Sequence, residues 1–254
     1  MCLLFVIVIR RLFILEFIDH FNIILIQHIF MDQSVVLGYW AIRGLSERCR
    51  QLLEYCQVPY TEEKYDSQPG RERWQTTEKP KLIQKNPAIT LPYLIDGDKV
   101  VSESDAICIY ICLRGKKPEL LGRNADEQVL MATIHGVYKD FHPNCTKLWY
   151  GKYENEEAFN KAKDETPKNW EVYVKKLSGL LGDKEYFAGG ITWIDFVIAD
   201  FMQTLNLFNE EILKPFPKLT EHQKRIWALP ELKAYFASDR FKERPCNNDI
   251  AYWK

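Results

Sequence analysis

The chain lacks the residue groupings that mark metal sites, disulfide frameworks and nucleic-acid surfaces. Its 254 residues include five histidines and seven cysteines but no Cys-x-x-Cys or His-x-x-x-His pair, so we expect no metal site. The odd number of cysteines has no framework spacing and favours a reduced, cytoplasmic protein. Lysine and arginine are interleaved with acidic residues at a net charge of −1, which argues against nucleic acid as a partner.

The first thirty residues are apolar but lack an uninterrupted run long enough to span a membrane. Charged and polar residues between positions 16 and 22 interrupt them, whereas a spanning helix needs about 20 mainly apolar residues. A signal peptide is not expected, because Arg10 and Arg11 follow the apolar run instead of preceding it. The segment is a membrane-associating leader, an extra packed helix, or a stretch upstream of a true start at Met31. We favour the last and expect no stable membrane insertion.

From Ser34 to about Gly115, strand and helix patterns alternate. The predicted order begins with a strand that contains the β-branched run from Ser34 to Leu37. A helix over 46–55, a strand over 60–65, an irregular charged stretch over 66–87, strands over 91–95 and 99–102, and a helix to Leu113 follow. Asp96-Gly97 between two apolar runs predicts a hairpin, and Pro92 should open its strand rather than lie inside it, because it cannot donate a ladder hydrogen bond. Ser102 or Ser104 is the expected cap of the last helix. This order predicts a small thioredoxin-like sheet.

Beyond Gly122 the strand patterns disappear and helical patterns replace them. One predicted helical face carries four apolar residues, Trp170, Val174, Leu177 and Leu181. Thr192 and Asp195 are spaced as a capping box for an apolar helix over 196–207, which we expect at the centre of an all-α domain. A last helix is expected from Leu229 toward Ala237. The predicted domains are an N-terminal extension over 1–33, a thioredoxin-like domain over 34–117 and an all-helical domain over 123–254.

A seven-residue motif, Gly-Tyr-Trp-Ala-Ile-Arg-Gly at positions 38–44, is the strongest indication of function. The predicted strand, turn and helix place the Tyr39 hydroxyl at the carboxyl end of a strand. Ligands of open α/β sheets bind there, close to helix amino termini that favour anions. Tyr39 could therefore donate a hydrogen bond to a developing anion. The alternative is a rim tyrosine whose ring packs against Trp40.

Five motifs in the right order resemble a glutathione transferase, most closely of the mu class. They are Gly38 to Gly44, Leu91-Pro92-Tyr93-Leu94-Ile95-Asp96-Gly97, Ser102-Glu103-Ser104-Asp105-Ala106-Ile107, the Phe187 to Phe196 segment, and the Arg240 to Lys254 tail. The resemblance covers Val35 to Lys254. It implies a thioredoxin-like domain followed by an all-helical domain, and a cytoplasmic homodimer that acts in detoxification. The implied reaction joins reduced glutathione, as co-substrate and without another cofactor, to hydrophobic electrophiles.

The resemblance also implies the site residues, with Tyr39 as the catalytic residue. The implied glutathione-binding residues are Tyr39, Trp40, Arg71, Trp74, Lys79, Thr90, Leu91, Pro92, Glu103 and Ser104. Glu103 would accept the ammonium of the γ-glutamyl group, and Ser104 at a helix amino terminus would bind its carboxylate. The bond before Pro92 is implied to be cis. Tyr150 is the candidate for electrophile activation, with Tyr153 and Trp149 as rivals.

The sequence departs from the mu pattern in ways that bear on class and dimer contacts. The 65–74 loop is shorter, the 81–90 segment is longer, and Lys85 and Asn86 stand where a dimer-locking aromatic is expected. The acidic residue that a partner subunit lends to the site aligns near Met131 or Ala132, and Asp126 and Glu127 lie about one turn away as possible substitutes. Two other functions stay open, a non-catalytic ligand-binding or structural protein and a glutathione-dependent isomerase. A thiol-disulfide oxidoreductase is disfavoured, because Tyr39 stands where a reactive cysteine is needed.

Overall fold

The computed structural model describes residues 34–254, so the expectations for residues 1–33 lie outside the described residues. The first part of this region forms one four-stranded sheet of order β2–β1–β3–β4. The strands are β1 (Val35–Trp40), β2 (Tyr60–Tyr65), β3 (Tyr93–Asp96) and β4 (Lys99–Ser102). Strand β1 is parallel to β2 and antiparallel to β3, and β3 is antiparallel to β4. The predicted thioredoxin-like arrangement is therefore confirmed.

The hairpin between β3 and β4 forms at Asp96-Gly97, as predicted from the sequence. Asp96 pairs with Lys99 across the turn, and Gly97 has a φ of 57°, a conformation that side chains disfavour. Pro92 lies just before β3, as expected for a residue without a backbone N–H. The Leu91–Pro92 peptide bond is cis, as the resemblance implied.

The charged stretch over 66–87 is largely helical, and the prediction of an irregular segment is wrong. It contains α2 (Ser67–Arg73), a π-helical turn over Trp74–Glu78, and α3 (Lys79–Leu82). Trp74 and Leu82 are buried, and they form a small cluster with Tyr65 and Tyr93 of the sheet. These helices bury only a few apolar residues against the sheet, so the sequence of the segment shows no apolar repeat at helical spacing.

Two helices pack beside the sheet, α1 (Glu47–Tyr55) and α4 (Ser104–Arg114). Neither predicted serine caps α4 with its side chain, because Glu103 holds the capping position with a φ of 71°. The hydroxyl of Ser102 instead accepts a hydrogen bond from the Thr90 N–H at 2.9 Å and donates to the Thr90 carbonyl at 3.3 Å. These bonds hold the segment before β3 against the end of β4.

The second part of the chain is helical. Its helices are α5 (Ala125–Trp149), α6 (Glu156–Asp164), α7 (Thr166–Leu181), α8 (Trp193–Phe208), α9 (Pro217–Trp227) and α10 (Pro230–Phe236). All four residues of the predicted α7 face are at most 5% exposed, so that prediction is confirmed. Within residues 34–254, no helix combines the length and apolarity needed to cross a membrane.

Helix α8 lies in the core of the helical part and begins with the predicted capping box. The fully buried carboxylate of Asp195 accepts hydrogen bonds from the Thr192 N–H at 2.8 Å and the Phe187 N–H at 3.0 Å. It also lies 2.9 Å from the Nε2 atom of His222 on α9. One side chain thus joins the start of α8, the preceding loop and a neighbouring helix.

Buried polar contacts connect the sheet part with the helical part. Arg43, in the turn after β1, donates from Nη2 to Asp200 of α8 at 2.6 Å, and both side chains are at most 4% exposed. Glu47 at the start of α1 accepts a hydrogen bond from the Tyr235 hydroxyl at 2.9 Å. The turn that follows β1 is therefore held by residues far along the chain.

The cysteines in the described region are free and buried. The Sγ atoms of Cys49 and Cys108 lie 3.8 Å apart between α1 and α4. Burial raises the pKa of the Cys108 thiol well above its usual value, so this thiol stays protonated at neutral pH. Cys108 thus packs as a small apolar side chain of the core.

Candidate active site

Tyr39 lies near the carboxyl end of β1, and the turn that follows the strand contacts its ring. Its side chain is 7% exposed, and its hydroxyl oxygen accepts a hydrogen bond from the Leu45 N–H at 3.1 Å. Gly44 has a φ of 43°, and a Cβ there would lie 2.7 Å from the tyrosine oxygen. Glycine is therefore required for the backbone to approach the hydroxyl this closely.

Burial sets the protonation state of Tyr39. It raises the pKa of the phenol to about 12, although the Leu45 N–H and the charges of Arg48 and Arg50 act in the opposite direction. The hydroxyl is therefore protonated throughout the neutral range. Its oxygen already accepts one hydrogen bond, which leaves the proton available for an anion.

A cavity of about 140 Å³ opens beside Tyr39, between the sheet part and the helical part. Residues from the turn after β1, from α5, from α8 and from the C-terminal tail contribute to its wall. They include Tyr39, Arg48, His142, Tyr150, Phe201 and Asn247. We call this space the inner cavity. Its wall combines aromatic rings with hydroxyl and amide groups and with the charged side chains of Arg48 and Asp200, which suits a largely apolar ligand with a polar end.

A second cavity of about 230 Å³ lies next to the first, and we call it the outer cavity. Its wall includes Trp40, Arg71, Asn248, Asp249 and Lys254. Ile42 and Asn247 line both cavities, so the two spaces are neighbours. Both cavities contain basic and acidic side chains, and the inner cavity has more aromatic residues in its wall.

Three residues were expected at the glycyl end of glutathione, and the structure separates them. Arg71 lines the outer cavity with its guanidinium 5.7 Å from the ring centre of Trp40. Trp74 is 5% exposed and stacks on Tyr93 at 5.6 Å, so it supports the sheet and lines neither cavity. Lys79 is exposed at the start of α3 and also lines neither cavity.

The residues expected at the other end of glutathione come from two segments that lie together. Thr90, Leu91 and Pro92 precede β3, and the Ser102 hydroxyl ties Thr90 to the end of β4. Glu103 is exposed and Ser104 is half-buried at the first turn of α4. Neither residue lines the inner or the outer cavity, so they face a surface beyond both.

Tyr150 and its two rivals differ clearly in position. Tyr150 and Trp149 line the inner cavity, whereas Tyr153 does not and donates its hydroxyl proton to the Leu148 carbonyl at 2.9 Å. The Tyr150 hydroxyl oxygen is approached by the Asn248 N–H at 3.4 Å, and burial raises the pKa of this phenol. Tyr150 therefore presents a protonated hydroxyl to the same space as Tyr39.

The residues of the inner cavity that sequence reasoning missed include Arg48 and His142. Arg48 is 2% exposed, and its Nη2 atom donates to the Tyr138 hydroxyl at 2.7 Å. His142 lies against the rings of Tyr138 and Phe201, at 5.3 and 5.8 Å between centres. Arg48 sits among other charged residues of α1, a pattern that is typical of a solvated helix face. A lone histidine on a long helix carries no signal of its own.

The half-buried position of His142, next to Arg48, predicts a pH dependence of folding stability. Burial, helped by the charge of Arg48, lowers the pKa of His142 to about 4, against about 6.5 in an unfolded chain. Between these values the unfolded chain binds one more proton, so this contribution to stability is complete above pH 6.5 and is lost as the pH falls toward 4. We expect wild type to lose about 2 kcal/mol more than His142→Gln between pH 7 and pH 5, measured by urea unfolding. Equal losses in both proteins would refute the assignment.

The comparisons with known proteins agree with this architecture. The model of the glutathione S-transferase N-terminal domain matches residues 35–112, and that of the C-terminal domain matches residues 139–239. Human glutathione S-transferase Mu 3 is 33% identical over 226 residues, 87% of this chain and 96% of the relative. Human glutathione S-transferase Mu 1 is 34% identical over 224 residues, 86% of this chain and 98% of the relative. The chain therefore belongs to the glutathione S-transferase family.

The relatives and the solved structures also bear on the class within the family. The mu-class names of the relatives above support the predicted similarity to that class. A Pi-class glutathione S-transferase of Onchocerca volvulus superposes with a TM-score of 0.69 at 23% identity, covering 86% of this chain and all of the other. Rat hPGDS, in complex with a quinoline, superposes with a TM-score of 0.65 at 24% identity, covering 85% and 99%. At these identities the two structures establish the fold alone.

Proposed function

We propose that this protein joins reduced glutathione to hydrophobic electrophiles, and that the Tyr39 hydroxyl stabilises the glutathione thiolate. The observation that carries the proposal is the position of Tyr39, a buried hydroxyl whose proton is free and whose ring borders the inner cavity. The family membership of the chain supports the same reaction. Tyr39 and glutathione need no metal or further cofactor for this chemistry.

The chemical problem that Tyr39 solves is the low acidity of a thiol. A free thiol with a pKa of about 8.5 is only about 3% ionised at pH 7. Stabilising the thiolate by about 2.7 kcal/mol lowers that pKa by about two units and raises the ionised fraction some 20-fold or more. A hydroxyl donor in a site partly closed to water is suited to this task, because its hydrogen bond strengthens when the sulfur carries charge.

Glutathione is proposed to lie along the carboxyl edge of the sheet. Glu103 accepts its ammonium, while Ser104 at the amino end of α4 donates to the γ-glutamyl carboxylate. Thr90 and Leu91 present a backbone edge to the cysteinyl unit, next to the cis bond before Pro92. Arg71 and Trp40 receive the glycyl end in the outer cavity. Lys79 and Trp74 act from the periphery, Lys79 as a more distant cation and Trp74 by supporting the sheet.

The electrophile is proposed to occupy the inner cavity, where Tyr150 assists substrates that carry an acceptor oxygen. We expect Tyr150→Phe to lower kcat/KM about tenfold for an epoxide or an enone, because the loss of one hydrogen bond to a developing oxyanion costs about 1.4 kcal/mol. With an aryl halide the rate should change little. Steady-state kinetics with both substrate classes check this, and Tyr153→Phe, which removes a hydroxyl outside the cavity, is the matched control. An equal loss with both substrate classes would contradict the role.

The direct test of the proposed function is conjugation of glutathione to 1-chloro-2,4-dinitrobenzene by the full chain. A saturable rate, with bound thiolate visible by its ultraviolet absorbance near neutral pH, is the expected result. Tight glutathione binding without turnover of any electrophile would instead favour a ligand-binding protein. The absence of glutathione binding would refute the proposal.

We also propose that the protein acts as a cytoplasmic homodimer. The free, buried cysteines support a reducing compartment. Leu113 of α4 and Val129 of α5 are 54% and 66% exposed, and such apolar side chains are candidates for coverage by a second subunit. Sedimentation of the purified chain distinguishes a dimer from a monomer.

A further inference from the structure

The C-terminal tail, residues 243–254, crosses the carboxyl end of β1 and is fixed on both sides of that crossing. On one side, the carbonyls of Pro245 and Cys246 accept hydrogen bonds from the N–H groups of Arg43 and Gly44, at 2.9 and 3.1 Å. On the other side, the Tyr252 N–H donates to the carbonyl of Trp149 at 2.9 Å. The residues between these anchors span the outer cavity.

One of the spanning residues forms an ion pair at the wall of that cavity. The Oδ1 atom of Asp249 lies 2.6 Å from Nη2 of Arg71, with side-chain exposures of 57% and 27%. The Nε atom of Arg71 has no hydrogen-bond partner within residues 34–254. Arg71 therefore binds a carboxylate through one edge of its guanidinium and keeps further donor capacity.

We propose that Asp249 occupies the place of the glycyl carboxylate of glutathione, so that the two carboxylates compete for Arg71. This inference rests on the proposed function, in which Arg71 receives the glycyl end. Both groups are carboxylates, and a guanidinium binds each with the same geometry. Asp249 thus acts as an internal competitor that lowers the affinity for glutathione.

The exposure of the pair limits the size of this effect. Ion pairs that solvent reaches contribute little, so the competition should weaken glutathione binding by about two- to fivefold. The competition is also specific to one end of the ligand. A glutathione analogue whose glycyl carboxylate is converted to an amide has no charge to exchange with Asp249, and its affinity should not depend on this residue.

The same exchange links the two cavities. Asn247 lines both of them, and the Asn248 N–H approaches the Tyr150 hydroxyl at 3.4 Å. When the glycyl carboxylate replaces Asp249, the segment 247–250 loses its contact with Arg71 while its anchors stay in place. Glutathione binding therefore loosens the part of the tail that borders the electrophile.

The test is to measure the affinities of Asp249→Asn and Asp249→Ala for glutathione and for glutathione glycinamide by calorimetry. Both variants should bind glutathione about two- to fivefold more tightly than wild type and the amide with unchanged affinity. Glu243→Gln removes one negative charge from the same tail without touching Arg71, and serves as the matched control. In an Arg71→Gln background, substitution of Asp249 should have no effect on either ligand.

The other possible outcomes of this experiment distinguish a failure of the inference about Asp249 from a failure of the proposed function. The inference would be overturned if Glu243→Gln and Asp249→Asn changed the affinity for glutathione equally, or if the Asp249 variants bound the amide more tightly by the same factor. Either result would mean that Asp249 acts only through its general negative charge, and the proposed function would stay intact. Weaker binding of glutathione by both Asp249 variants would overturn it as well. If wild type binds neither glutathione nor its amide, the proposed function itself fails and the inference fails with it.

Discussion

Replacing Tyr39 with phenylalanine is expected to lower kcat/KM for an aryl halide roughly 20-fold or more at pH 7. The variant loses the hydroxyl that stabilises the thiolate but keeps the ring that packs against the turn at Gly44. The thiol of bound glutathione should then return toward its solution pKa of about 8.5. The loss should therefore shrink as the pH rises toward 9, because the thiol ionises there without help.

The decisive measurement is the pH profile of kcat/KM for the two proteins, together with the affinity for glutathione. We expect the apparent pKa of the profile to move up by about two units, with binding largely retained. Tyr153→Phe removes a hydroxyl that lies outside the cavity and should leave the profile in place. A uniform loss at every pH, or a loss of fold seen in the circular dichroism spectrum, would speak against thiolate stabilisation as the role of Tyr39.

Replacing Asp195 with alanine is expected to destabilise the protein by about 3 to 5 kcal/mol. The carboxylate is fully buried and accepts hydrogen bonds from two backbone N–H groups, while the His222 ring lies 2.9 Å away. Alanine would leave these donors in the core without partners, because water cannot reach them. The melting temperature should fall by roughly 6–20 °C for a chain of this size.

The control for Asp195 is another helix cap in an exposed position. Asn155 accepts the Ala158 N–H at 2.9 Å at the start of α6, and Asn155→Ala should cost only about 1 kcal/mol. Denaturant unfolding of both variants separates the two cases. Equal and small losses would mean that the contacts of Asp195 contribute no more than an ordinary cap.

Features that depend on neighbouring residues could be predicted from the sequence. The hairpin at Asp96-Gly97 needs only a turn that tolerates positive φ between two apolar runs, and the structure has it. The α7 face was predictable because its apolar residues repeat at helical spacing along one short segment. The strand, turn and helix around Tyr39 were predictable for the same reason, although the contact that makes Gly44 necessary was not.

Features that depend on distant residues could not be predicted. The helices over 67–82 bury Trp74 against Tyr65 and Tyr93, and no pattern within those helices reveals this cluster. Arg71 and Asp249 are 178 positions apart, so only the folded chain brings the two side chains together. Ser102 does not cap α4, because its hydroxyl is bound to Thr90 in another segment, and Ser104 is already the first residue of that helix. In each case the structure depends on contacts between residues that are distant along the chain, and local sequence patterns do not reveal such contacts.

The buried contact between Arg43 and Asp200 restricts how parts of this protein can be exchanged with those of a relative. Arg43 belongs to the same turn as Gly44, whereas Asp200 comes from the middle of α8. A chimera that imports only one of the two parts, and with it a different residue at either position, leaves a charge in the core without its partner. Successful recombination must therefore carry both residues together, although more than 150 positions separate them along the chain.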